Sequence, residues 1–167
     1  MPPKAKADNT ALRELKHAVR DGQLKNLYVF HGEEAYLREY YLGQLKKALL
    51  PAGLEEFNLH TAQGKECSPE WLEQAVDCLP MMGERTVVLV TDFDLSKTGE
   101  KDREDYIRIF SQLPEYCCVV LVYDLIPYKL DARTKLASAI KEHGTVVNFA
   151  SGSTAVWRRS LSFCAAI

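Results

Sequence analysis

Five short, mostly apolar runs recur along the chain with helix-patterned segments between them, and this alternation restricts the fold more than any other feature. The runs are LYVFH at 27–31, a weaker one at 56–60, RTVVLVTD at 85–92, CCVVLVYD at 117–124 and TVVNFA at 145–150. A strand that is apolar at every position is covered on both faces, as in a parallel sheet flanked by helices. The intervening segments carry helical periodicity. Leu12, Leu15 and Val19 share a face of a helix over residues 10–21, with Gly22 as its stop. Leu37, Tyr41, Leu45, Ala48 and Leu49 mark a second helix over 34–50, ended by Pro51. Ser68 and Pro69 read as N-cap and first residue of a third, whose stripe is Trp71, Leu72, Ala75, Val76 and Leu79. After the polar stretch DLSKTGEKD, Tyr106, Ile107 and Phe110 mark a fourth helix, ending near Leu113 and Pro114. Asp131 reads as the cap of a fifth, carrying Leu136, Ala139 and Ile140 and stopping at Gly144. The expectation is a three-layer α/β domain with a five-stranded, mostly parallel sheet. No internal repeat is present.

The first strand leads into a glycine turn and a helix, LYVFHGEEAYLRE at 27–39. Nucleotide-binding α/β folds hold phosphate at such a junction, against backbone N–H groups at the helix start. A working phosphate loop reads G-x-x-x-x-G-K-[ST]. Counted from Gly32, the second glycine is Leu37, the lysine is Arg38 and the hydroxyl residue is Glu39. Leu37 puts a Cβ where backbone must approach phosphate, and Glu39 sets a carboxylate near its anionic oxygens. The turn is therefore P-loop-like in placement and degenerate in chemistry. Arg38 reads as a solvated helix-surface arginine. Asp92 and Asp94, past the third strand, stand where a magnesium-binding carboxylate would be useful. With no lysine and hydroxyl to hold a metal–phosphate pair, they read as loop-starting aspartates.

A length of 167 residues suffices for one domain with a proper core, and 47% hydrophobic with 26% charged residues is ordinary for a globular chain. The net charge of −2 leaves no overall basic footprint for nucleic acid. No apolar run approaches the roughly 18 residues of a membrane span. Residues 1–9 read as a disordered polar tail without the apolar centre of a secretory signal, residues 10–150 as the domain, and 151–167 as a linker or the stub of a following domain. Cys67, Cys78, Cys117, Cys118 and Cys164 show no zinc-type spacing to His17, His31, His60 or His143. They read as reduced, buried thiols of a cytoplasmic protein. The final Cys-Ala-Ala-Ile formally fits a prenylation box but has only Arg158 and Arg159 as basic support, and reads as accidental. No catalytic triad, paired carboxylate or metal cluster stands out, so neither intrinsic catalysis nor a cofactor is expected.

With its elements in this order, the chain resembles the N-terminal domain of the delta subunit of the bacterial DNA polymerase III clamp loader. The matching stretches are LYVFHGEEAYLREYYL, LPMMGERTVVLVTDFD and LDARTKLASAIKEHGTVVNFA. The resemblance implies an AAA+ fold without a functional nucleotide site, which agrees with the degenerate turn. It implies a subunit of a DNA-directed DNA polymerase holoenzyme, a nucleotidyltransferase, that binds the sliding clamp and helps to open it during replication. Its partners would be the clamp and the other clamp-loader subunits, with DNA met only through the assembled complex. The family continues into two helical domains that this sequence does not contain.

Family members insert apolar side chains from the segment after the third helix into a hydrophobic pocket of the clamp. The resemblance thus assigns clamp binding to Leu79, Pro80, Met81 and Met82. Clamp-binding motifs of this type begin with glutamine and end with an aliphatic and an aromatic residue. Here Asp77 replaces the glutamine, Met81 and Met82 take the paired positions, and the aromatic is missing. From the residues alone, the methionines read more readily as helix-end core than as a protruding pair. Asp131, Arg133 and Lys135 read either as a capped helix with a solvated charged face or, by the resemblance, as a contact to a neighbouring subunit. Two other readings of the chain remain: a divergent nucleotide-dependent ATPase or kinase, and an unrelated interaction adaptor on an α/β scaffold.

Overall fold

In the computed structural model, which describes residues 10–150, the alternating pattern becomes a helix–sheet–helix sandwich. The expectations for residues 1–9 and 151–167, Cys164 and the terminal Cys-Ala-Ala-Ile among them, lie outside the described residues. The order is α1 Thr10–Asp21, β1 Leu27–His31, α2 Ala35–Leu49, α3 Glu55–Asn58, β2 Leu59–Gln63, α4 Pro69–Asp77, β3 Thr86–Thr91, α5 Glu100–Ser111, β4 Cys117–Val122, α6 Lys135–His143 and β5 Thr145–Asn148. The strands lie in the order β2-β3-β4-β1-β5, and every pairing is parallel.

Side chains alternate across the sheet, as the two-residue period of a strand requires. Leu27 and Val29, Val88 and Val90, and Cys117, Val119 and Leu121 point to one face, where Leu72, Phe110 and Leu136 bring α4, α5 and α6 against them. Tyr28, Phe30, Val87, Leu89, Cys118 and Val120 point to the other, under Leu15 of α1 and Leu37, Tyr41 and Leu45 of α2. This two-sided burial explains the continuous apolar runs. Burial also pushes the Cys67 thiol up to about 12 and Cys117 to about 11, and raises Cys118 as well. These thiols stay protonated and unreactive. Cys78 departs from the expectation of buried thiols, because it lies exposed past the end of α4.

Three local expectations are corrected. Residues 55–58 form a helical turn and β2 starts at Leu59, where pairing with Val87 begins. Thr134, not Asp131, caps α6: its Oγ1 accepts from Ala137 N at 3.2 Å, while Asp131 closes the preceding turn by accepting from Arg133 N at 2.9 Å. Helix α4 ends at Asp77, so Leu79 leaves the apolar stripe and is exposed. Pro80 disfavours helical geometry at the residue before it.

An all-parallel sheet has two unlike ends. The turn after β1 and the loops after β3 and β4 gather at the carboxyl end of the strands. Helix α3 and the segment at 78–85, which lead into β2 and β3, gather at the opposite end.

Candidate functional site

Open α/β sheets bind ligands outside the carboxyl ends of their strands, so the turn after β1 is the first place to look. It is closed by its own chain. Gly32 sits at φ +121°, and a Cβ there would lie 2.5 Å from the Phe149 carbonyl oxygen. Phe149 N donates to His31 O at 2.7 Å, and Glu34 N donates to Phe149 O at 2.9 Å. An N–H at the start of α2, of the kind that would cradle phosphate, is thus committed to the chain past β5.

Arg38, at the position of the P-loop lysine, corrects the reading of a solvated arginine. It is only 3% exposed. Nη1 donates to Gly32 O at 2.7 Å, and Nη2 pairs with Asp124 Oδ1. The cation of the turn is therefore neutralised by a carboxylate of the same molecule. Leu37 is buried in the core, and Glu39 is exposed.

Asp92 is also occupied. Held at φ +53°, it accepts on Oδ1 from Asp124 N, Leu125 N and Ile126 N at 2.8, 2.9 and 3.2 Å. It shapes the loop after β4. Asp94 caps the short 3-10 turn Leu95–Lys97, and its hydrogen bond with Ser96 and the nearby Lys97 hold its carboxyl below the usual range. A hollow of about 320 Å³ remains beside the turn, lined by His31, Tyr123, Asp124 and Tyr128. Burial, then the Arg38 charge, lowers the pKa of His31, which disfavours a cation where an anionic ligand would need one.

The other end of the sheet carries the apolar segment. Leu79 is 69%, Met81 56% and Met82 87% exposed, with Pro80 partly buried between them. The alternative of helix-end core packing does not hold for the methionines. The loop is nevertheless fixed. Asn58, fully buried at the end of α3, accepts from Met81 N at 2.7 Å and donates to Met81 O at 2.9 Å. Met82 follows at φ +55°, a conformation non-glycine residues rarely adopt. A paired amide on both sides of Met81 and a left-handed Met82 make a pre-set knuckle. The sequence reading missed Asn58, having placed it in a strand; asparagine is depleted from strands, and that was the available signal.

Asp131 and Arg133, on the turn leading into α6, and Lys135, its first residue, are all exposed. His17 Nδ1 lies 3.0 Å from Arg20 Nη2, His31 rests on the Tyr128 ring, and His60 Nε2 is buried without a hydrogen-bond partner among the described residues. The described residues hold no group of three His, Cys, Asp or Glu side chains that could bind a metal. None of their helices is long and apolar enough to cross a membrane.

A parallel five-stranded sheet with a stopped-up first turn and an exposed apolar loop at the other end defines a P-loop-like α/β domain. The chain belongs to the family described as DNA polymerase III, delta subunit, which it matches over residues 28–150. It is 31% identical over 134 residues to DNA polymerase III subunit delta of Bacillus subtilis, covering 75% of this chain and 38% of that protein. Among solved structures, it is similar to the Bacillus subtilis DNA clamp loader delta protein, with TM-score 0.70 and 22% identity over 83% of this chain and 42% of that one. A DNA polymerase III gamma subunit-related protein of Thermotoga maritima shares the fold at TM-score 0.53 and 16% identity, covering 80% of this chain and 45% of its own. The architecture is the three-layer α/β one that was expected, with a five-stranded parallel sheet. The chain spans about two fifths of the delta relatives it matches.

Proposed function

We propose that this domain is the clamp-binding part of a clamp-loader delta subunit. It grips the sliding clamp through Leu79, Pro80, Met81 and Met82 and favours an opened ring during DNA replication. It binds no ATP itself; nucleotide is handled by neighbouring subunits. Asp131, Arg133 and Lys135 form a contact to one of those subunits, and DNA is met only in the assembly. The observation that carries this reading is the exposure of both methionines on a loop that Asn58 holds in place.

Burying a methionine in a partner pocket contributes about 1.5–3 kcal/mol, and its thioether adapts to irregular surfaces. Because the loop is already ordered, little conformational entropy is lost on docking. The closed turn supports the ATP-free half of the proposal, since its N–H group, its cation and its nearby carboxylate are all engaged within the chain. The test is clamp affinity of the wild type against Met81→Ala/Met82→Ala. The variant keeps the wild-type urea midpoint and loses on the order of a hundredfold in affinity, about 2.7 kcal/mol. An unchanged affinity overturns the assignment of these residues.

A further inference from the structure

A contiguous cluster of exposed apolar side chains marks an interaction surface, whereas single ones are ordinary. Besides Leu79, Met81 and Met82, the knuckle has a fourth such residue beside it, Phe57 of α3, which is 54% exposed. Phe57 directly precedes Asn58, the residue whose amide holds both backbone polar groups of Met81. That pair of hydrogen bonds ties α3 and the knuckle side by side, although they are distant in sequence. The exposed charges on them are acidic. Residues 51–58 contribute Glu55 and Glu56, and residues 77–85 contribute Asp77 and Glu84; Arg85, the one cation of these two segments, is partly buried just before β3. All four carboxylates are on exposed residues.

We infer that the docking surface is built from two chain segments, with Phe57 joining Met81 and Met82 as an anchor and the four carboxylates selecting an apolar pocket with a basic rim. This rests on the clamp reading above and adds to it. Aromatic anchors carry a disproportionate share of interface energy, and rim charges act on the association rate and its salt dependence. Asn58 is the positioning residue that ties the two segments together.

The test measures clamp binding kinetics for the wild type, Phe57→Ala, Met81→Ala/Met82→Ala and Glu55→Lys/Glu56→Lys at low and high salt. The same proteins are checked alone by sedimentation. Phe57→Ala, at an exposed site, keeps its urea midpoint and weakens clamp affinity by about tenfold or more. The charge reversal slows association and flattens its decline with salt. If Phe57→Ala stays within about twofold of wild type while the methionine variant fails, the two-segment surface is wrong and the clamp reading stands. If Phe57→Ala instead abolishes self-association of the chain, Phe57 meets a second copy and the inference falls. If the wild type forms no clamp complex, both fall.

Discussion

Gly32→Ala is expected to cost about 4 kcal/mol, a large part of the 5–15 kcal/mol that holds a domain together. Three effects add. The φ of +121° is one that L side chains rarely adopt, and forcing a side chain into such a region costs about 1–3 kcal/mol. The new Cβ would meet backbone, not a movable side chain, at 2.5 Å from Phe149 O and 2.6 Å from Phe149 N. Relieving that contact means moving the chain past β5 and giving up the bonds from Phe149 N to His31 O and from Glu34 N to Phe149 O, each worth about 1 kcal/mol. Phe149 is fully buried, with its ring 5.3 Å from that of Phe30, so its displacement also opens the core under α2. Urea unfolding checks this: the midpoint falls steeply or the cooperative transition disappears. An unchanged midpoint would mean that the turn is not braced against Phe149.

Arg38→Ala is the second large effect, at about 3 kcal/mol of lost stability. Its guanidinium is buried, and two of its donors are used, on Gly32 O and on Asp124. The Asp124 side chain is half exposed, so its Coulomb contribution is screened and is the smaller part. Most of the loss comes from a charge-assisted hydrogen bond removed from a partly buried carbonyl and from the void left by the side-chain stem. Arg38→Lys recovers only part, because an ammonium on a flexible stem cannot reproduce the planar fork that reaches both acceptors. Calorimetric melting of the three proteins gives the order wild type, Arg38→Lys, Arg38→Ala. A melting temperature for Arg38→Ala equal to wild type would show that the guanidinium does not brace the turn.

What could be read along the chain was whatever local chemistry decides. Helix α1 follows its amphipathic stripe and stops before Gly22 at φ +72°, and α4 starts where Ser68 accepts from Trp71 N ahead of Pro69. Strands β1, β3 and β4 were legible because both faces of the sheet are covered there, whereas edge strand β2, in which Ala62 alone is buried, was read too early in the chain. What was not legible depends on partners far away in sequence. Arg38 and Asp124 are 86 residues apart, and nothing near Arg38 distinguishes a buried tie from a solvated charge. Asn58 and Met81 are 23 apart, so the helical turn at 55–58 and the fixed knuckle emerge only together. Asp131 and Thr134 are both good caps; Thr134 holds the position because it directly precedes Lys135, the first residue of α6, and its Oγ1 accepts from Ala137 N. Two adjacent methionines after a helix look the same whether they face core or solvent, and only the packed structure separates these cases.

One end of the sheet is closed where a phosphate would sit, and we propose that the fixed apolar loop at the other end grips the clamp. Titrating purified sliding clamp into the chain by calorimetry, without nucleotide and again with ATP and magnesium, tests this most directly. The expected result is saturable binding of equal affinity in both buffers and no binding heat from ATP alone. Clamp binding that requires ATP, or tight ATP binding by the chain itself, would contradict it.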